Sequence, residues 1–98
     1  MASEKIIAAV GVSDEDVAHL RLLMRKAASS LQHAWRWGSD TSADLLVVDT
    51  SVFAGQMALA RGRVSGMRVA VVCAADATTD GEPALRRPFQ VENVIQVL

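Results

Sequence analysis

The chain has little cysteine, few aromatic residues and no dense cluster of one charge. It holds one cysteine in 98 residues, which excludes an internal disulfide and a cysteine-based metal cage. Ten Lys and Arg residues nearly balance eleven Asp and Glu residues, and the formal net charge is −1. The loose group Arg61, Arg63 and Arg68 is too sparse for a surface that neutralises several phosphates. These absences argue against a nucleic-acid partner.

Long apolar runs are missing as well. The first residues, MASEKIIAAVGV, are apolar over a short stretch only and then turn acidic, which fits neither a signal peptide nor a membrane span. The sequence therefore predicts a cytoplasmic protein. Hydrophobic residues make up 51% of the chain, enough for one small domain with a real core.

Short apolar runs alternate with segments of helical spacing. Ser13 can cap a first helix, in whose opening turn Asp14 and Asp16 favour capping over metal binding. A second helix is predicted over Ser51–Arg63, ending before Gly66, and a third from Val91. Because buried strands alternate with helices, the pattern predicts a parallel sheet with helices on both faces. The predicted strands are Lys5–Val10, Leu31–Gly38, Leu45–Asp49, Met67–Cys73 and Pro83–Arg87.

Three short motifs carry a resemblance to a known family. The run Ala43–Asp49 (ADLLVVD) ends in an acid, Val69–Ala74 (VAVVCA) is valine-rich, and Arg87-Pro88-Phe89 precedes an apolar helix. In this order and spacing they resemble the CheY-like receiver domains of bacterial response regulators. The resemblance covers essentially the whole chain, so residues 1–98 are expected to form one receiver-like domain. Because the chain stops inside its last helix, we expect it to be part of a longer signalling protein.

The resemblance implies a fold and a set of site residues. The expected fold is a flavodoxin-like five-stranded parallel sheet in the order 2-1-3-4-5. Its second and fourth helices are shortened or missing, because segments 39–44 and 74–82 are short and polar. Asp49 corresponds to the phosphoacceptor, and Cys73, Leu85 and Arg87 correspond to the positions that respond to the phosphate. The Arg87-Pro88 peptide is expected to be cis, as in the family's Lys-Pro.

The sequence also departs from the receiver pattern. Gly11-Val12 stands where the family has an acidic pair that holds Mg²⁺, and Arg87 replaces a lysine. Cys73 replaces a hydroxyl, and Leu85 replaces an aromatic residue. We therefore interpret the chain as a pseudo-receiver without catalysis, metal or cofactor, in which Asp49 pairs with Arg87. Two alternatives stay open: a receiver phosphorylated at Asp49, and a small flavodoxin-like ligand-binding domain.

A pseudo-receiver acts through protein contacts. The resemblance implies a protein partner or a fused output domain, such as one that makes or degrades a cyclic dinucleotide. Trp35 and Trp37 lie on one face of the predicted edge strand. With only a short segment after that strand, the two rings either cover the core or form an apolar surface for a partner or a second copy.

Overall fold

The computed structural model describes residues 4–31, 34–38, 43–74 and 83–98. Five strands form one all-parallel sheet in the order β2-β1-β3-β4-β5, and three α-helices lie in the described ranges. The predicted fold class and strand order are therefore confirmed. The strands are β1 (Glu4–Val10), β2 (Ala34–Trp37), β3 (Leu45–Asp49), β4 (Arg68–Cys73) and β5 (Ala84–Arg86), and the helices are α1 (Asp14–Lys26), α2 (Phe53–Ser65) and α3 (Val91–Val97).

Several predicted boundaries move by a few residues. Leu31, predicted to begin the second strand, instead ends the short 3₁₀ turn Ala28–Ser30, and the strand is described over Ala34–Trp37, with residues 32 and 33 outside the described ranges. Helix α2 begins and ends two residues later than predicted, and Gly66 ends it in the left-handed conformation. Strand β5 loses Pro83 and Arg87 from its predicted ends. The segments predicted to hold reduced helices, 39–44 and 74–82, lie mostly outside the described residues.

The sheet separates two apolar clusters. On one face, α1 and α3 cover Ile7, Leu45, Val47 and Leu85, and this is the larger cluster. On the other face, α2 lies over a smaller cluster drawn from the middle strands. Strand β3 is buried along its whole length, which explains its continuous apolar sequence. The members of the smaller cluster are Ala8, Leu46, Val48, Ala58, Val69 and Val71.

Helix α2 approaches the sheet closely because its inner face is made of small residues. Gly55, Ala58 and Gly62 are its buried positions. A Cβ atom at Gly55 would stand 1.9 Å from the carbonyl oxygen of Asp49, and one at Gly62 would stand 2.6 Å from a methyl group of Val69. Gly55 therefore fixes how near the helix lies to the end of β3, and Gly62 fixes how near it lies to β4.

The two tryptophans lie on the α1 side of the sheet. Trp35 and Trp37 are half-buried and pack against the larger cluster. The guanidinium carbon of Arg21, on α1, lies 4.9 Å from the centre of the Trp37 ring, in cation–π range. The indole N–H of Trp35 is buried and has no hydrogen-bond partner among the described residues. The sequence left two interpretations of the tryptophans open. Their placement favours the one in which the two rings cover the core of the same chain.

No helix in the described ranges is long and apolar enough to cross a bilayer.

Candidate functional site

The carboxyl end of β3 brings three charged side chains together. Asp49 is the last residue of β3 and is only 7% exposed, the one polar residue in the core of the described ranges. Arg87 follows β5, and Asp16 belongs to the first turn of α1. Because the carboxyl ends of parallel strands lie along one edge of a sheet, residues far apart in sequence meet here.

Arg87 links the two carboxylates. One of its terminal nitrogens donates to Asp49 Oδ2 at 2.9 Å and to Asp16 Oδ2 at 2.7 Å. Its Nε donates to the same Asp16 oxygen at 3.1 Å. The predicted pairing of Asp49 with Arg87 is therefore present, and the Arg87-Pro88 peptide is cis as predicted. One guanidinium bonds to both carboxylates, so a single positive charge partly offsets two negative ones, and the planar fork of arginine suits such a geometry.

Ser51 occupies the other oxygen of Asp49. Its backbone N–H and its hydroxyl both donate to Asp49 Oδ1, at 2.9 and 2.6 Å. The acid thus holds the turn that leads from β3 into α2, as an Asx turn does. Each carboxylate oxygen of Asp49 has a donor, one set from Ser51 and one from Arg87.

The surroundings set the charge state of the pair. Burial acts to raise the pKa of Asp49, but hydrogen bonds from Ser51 and Arg87 outweigh it, so the pKa lies below the ordinary value of 3.8. The hydrogen bond to Asp16 is the main cause of a raised pKa at Arg87, with Asp49 contributing after it and burial acting against both. Asp49 and Arg87 are therefore both charged at neutral pH.

Asp16 was missed as a partner of Arg87 by sequence reasoning. Its position after Ser13 predicts a capping role, and its backbone N–H does receive that cap, donating to the Ser13 hydroxyl at 3.2 Å. The Asp16 carboxylate, however, turns to Arg87. The residues are 71 positions apart, so no local pattern indicates the contact. The acids of the opening turn, taken together with Arg87 directly before Pro88, were the only signal in the sequence.

The two remaining site predictions lie on opposite faces of the sheet. Cys73 ends β4, is half-buried and packs against the smaller cluster under α2. Leu85 lies in β5, fully buried in the larger cluster. Asp49 is paired with Val72 in the sheet register, one residue before Cys73. Neither Cys73 nor Leu85 is among the hydrogen-bond partners of Asp49, and their roles as switch positions stay predictions.

The donor set does not fit a divalent cation. Mg²⁺ binds through oxygen ligands in near-octahedral geometry, commonly with more than one free carboxylate. At this edge the two carboxylates, Asp16 and Asp49, share one guanidinium, and Gly11-Val12 supplies no acid after β1. Within the described ranges no three His, Cys, Asp or Glu side chains are grouped as metal ligands.

Edge strand β5 and α3 are joined beside the site by one side chain. Asn93 accepts from the backbone N–H of Arg86 at 2.9 Å and donates to the carbonyl oxygen of Ala84 at 3.0 Å. These bonds satisfy backbone groups that an edge strand would otherwise leave open. They hold the strand that carries Arg87 into the site.

Comparisons with family models, with curated proteins and with solved structures give no match.

Proposed function

We propose that the chain is a degenerate receiver: a module of cytoplasmic signal transduction that works through protein contacts without being phosphorylated. The observation that carries the proposal is that both carboxylate oxygens of Asp49 are already hydrogen-bonded within the chain. The two oxygens accept hydrogen bonds from Ser51 and Arg87, and Asp49 forms an ion pair with an arginine that also binds Asp16. The strand order is that expected from the receiver resemblance.

Phosphoryl transfer to a carboxylate needs a free oxygen and a cation that neutralises the developing charge. Here the attacking atom would be an oxygen of Asp49, and both oxygens already accept strong hydrogen bonds. Freeing Oδ2 would leave the Arg87 guanidinium with Asp16 as its one remaining acid. The arrangement supports a permanent structural role for Asp49, and it gives no support to catalysis at this edge.

In this proposal the ion pairs hold the carboxyl edge of the sheet in one conformation, as the phosphate does in an active receiver. They tie β3, α1 and the segment after β5 into one rigid edge, because each contributes one member of the Asp49–Arg87–Asp16 set. The output domain, whether fused or separate, then binds a surface that keeps one conformation instead of one that changes on phosphorylation. The proposed partner is a protein.

Treatment with a phosphoryl donor tests the proposal. The chain is incubated with acetyl phosphate and Mg²⁺, and its intact mass is followed, while beryllofluoride with Mg²⁺ is added in a parallel amide NMR titration. We expect no phosphate adduct and no shift of the resonances around Asp49.

Two variants separate the possible outcomes. Asp49→Asn removes the acid whose phosphorylation is tested. Asp44→Asn removes a second, exposed aspartate just before the start of β3, whose carboxylate accepts from the backbone N–H of Ile6 at 2.8 Å, a bond that the amide oxygen of asparagine can keep. A stoichiometric adduct in the parent chain that persists in Asp44→Asn and is lost in Asp49→Asn would overturn the proposal in favour of a working phosphoacceptor.

A further inference from the structure

Helix α2 carries a second apolar face, which points away from the sheet. Phe53 is 74% exposed, Met57 48% and Val64 90%. With about 100° of rotation per residue, these three and Ala60 fall within an arc of roughly 60°. The buried positions Gly55, Ala58 and Gly62 lie on the opposite side of the helix. We call the four outward residues Phe53, Met57, Ala60 and Val64 the α2 stripe.

This distribution reverses what a surface helix ordinarily shows. Such a helix buries its large apolar residues and exposes polar ones. Here small residues and the half-buried Leu59 contact the sheet, whereas the large apolar residues of the α2 stripe meet the solvent. A shallow depression of about 330 Å³ lies at the end of the stripe, between Ala60, Arg61, Val64 and Ser65. Large exposed apolar patches of this kind mark interaction sites.

The spacing of the stripe identifies the partner. Its residues are separated by four, three and four positions, the interval of core positions in a coiled coil. That series reads the same from either end. When two α2 helices run antiparallel, Phe53 therefore faces Val64 of a second copy, and Met57 faces Ala60. Each layer pairs a larger side chain with a smaller one, as close packing requires.

The residues beside the stripe fit the same arrangement. In the antiparallel register, Arg61 lies opposite Ala54 of the second copy, and Arg63 lies opposite Gln56. Neither arginine is brought against an arginine, so like charges do not oppose the contact. The aliphatic stems of the arginines can extend over the apolar layers.

The exposed area is sufficient for a weak specific dimer. One aromatic side chain alone carries about 150–250 Å², so the stripe offers on the order of 400 Å². With the flanking residues and the second copy included, about 1,000 Å² would be buried, the lower limit for a specific interface. An interface of this size is typical of weak, transient complexes.

We propose that the chain forms a two-fold symmetric dimer through antiparallel contact of the α2 stripes. The proposal deepens the proposed function, on which it rests, because it names the partner as a second copy and the contact as α2. The tryptophans Trp35 and Trp37 play no part in it, since they pack on the other face of the sheet.

Sedimentation equilibrium over a range of concentrations tests the proposal. We expect a monomer–dimer equilibrium in the parent chain. Met57→Glu places a charge in a central layer, and we expect the dissociation constant to rise at least about tenfold. Glutamate is a good helix former, so α2 itself should persist. Circular dichroism and the melting temperature check this.

The matched control is Leu22→Glu. Leu22 lies on α1 and is 47% exposed, almost the same as Met57 at 48%. We expect this variant to dimerise like the parent. A parent chain that stays monomeric at all concentrations would overturn the dimer proposal. An equal rise of the dissociation constant in Met57→Glu and Leu22→Glu would overturn it as well. Neither result would change the phosphoryl-donor test, so failure of the dimer and failure of the proposed function are distinguishable.

Cross-linking tests the orientation without altering the stripe. In a Cys73→Ala background, Ala54→Cys and Arg61→Cys chains are prepared separately, then mixed and treated with a short bis-maleimide. The antiparallel register predicts that mixed 54–61 products exceed 54–54 and 61–61 products. Like-with-like products in excess would show that the helices do not meet in the proposed register.

Discussion

At the residue scale, one arginine decides the chemistry of the carboxyl edge. Arg87 serves two acids at once, at 2.7 and 2.9 Å, while its own side chain stays 40% exposed. Asp49 is the more enclosed of the two acids, with 10% of its side chain exposed against 20% for Asp16. The pair with Asp49 is thus the less screened by solvent, whereas the pair with Asp16 has two hydrogen bonds from Arg87.

The depressed pKa of Asp49 predicts how stability depends on pH. A group whose pKa is lower in the folded state stabilises the fold above its unfolded pKa, and this contribution is lost as pH falls through the folded value. We therefore expect the contribution of Asp49 to be complete at neutral pH and to decline below about pH 4. The proper comparison is with Asp49→Asn, because the other carboxylates titrate in both proteins and cancel in the difference.

Urea unfolding of both proteins between pH 7 and pH 3 measures this difference. At pH 7 we expect Asp49→Asn to be less stable by about 1–3 kcal/mol, since charged hydrogen bonds are lost. The gap should narrow toward pH 3, because below its unfolded pKa the aspartate binds a proton in the unfolded chain before it does so in the folded one. A gap that stays constant across the range would contradict the charged role assigned to Asp49.

At the element scale, α2 shows what periodicity can and cannot predict. The spacing of Val52, Phe53, Met57 and Ala60 correctly predicts a helix, but it does not say which face is buried. With glycine and alanine on one side and larger residues on the other, area alone favours burying the larger residues. The structure does the opposite, because only small residues permit contact with the backbone at the end of β3. A close approach between a helix and a sheet produces no periodic pattern in the sequence.

The strands were easier to predict than the site. Val69–Cys73 and Leu45–Asp49 are continuous apolar runs, as parallel strands buried on both faces require, and their bounds agree closely. The pairing of Asp49 with Arg87 followed from the family resemblance. The contact between Asp16 and Arg87 could not be predicted, because it depends on how α1 is placed against the segment after β5. That placement is set by packing, which the sequence pattern does not encode locally.

Replacing a glycine of α2 with alanine is expected to lower stability, the opposite of the usual effect in a helix. In an exposed helix, glycine to alanine stabilises by about 1 kcal/mol. At Gly55 we expect destabilisation of about 2 kcal/mol or more instead, because the new methyl group would overlap the Asp49 carbonyl and push the helix away.

Gly62→Ala is the companion variant, measured by the same chemical unfolding. Its new methyl group would meet a side-chain methyl of Val69 at 2.6 Å, with no backbone atom as close. We expect a smaller loss than at Gly55, since a side chain yields more readily than backbone. Equal effects at the two sites, or a gain in stability at Gly55, would show that the close approach is not what positions α2.

At the scale of the whole molecule, the two sheet faces have different tasks. The α1–α3 face contains the larger cluster, the tryptophans and the buried half of β5. The α2 face contains a smaller cluster and presents the α2 stripe outward. Stability and association are therefore expected to reside on opposite faces, so variants can separate them.

Alanine variants on the two faces test this division. Trp35→Ala and Trp37→Ala remove half-buried rings that pack on the larger cluster, and we expect each to lower the free energy of unfolding by about 2–3 kcal/mol. Neither should change the dissociation constant of the dimer, measured under conditions where the variant stays folded. Phe53→Ala removes a somewhat smaller aromatic group that is 74% exposed, and we expect little change in monomer stability but a weaker dimer. Chemical unfolding gives the stability of all three variants, and sedimentation equilibrium gives their dimer dissociation constants.

If a tryptophan variant keeps its stability and loses association, then the β2 edge is the interface and the assignment of tasks to the two faces is wrong. If Phe53→Ala lowers stability as much as the tryptophan variants do, the outward ring supports the monomer, and the stripe is not a free surface.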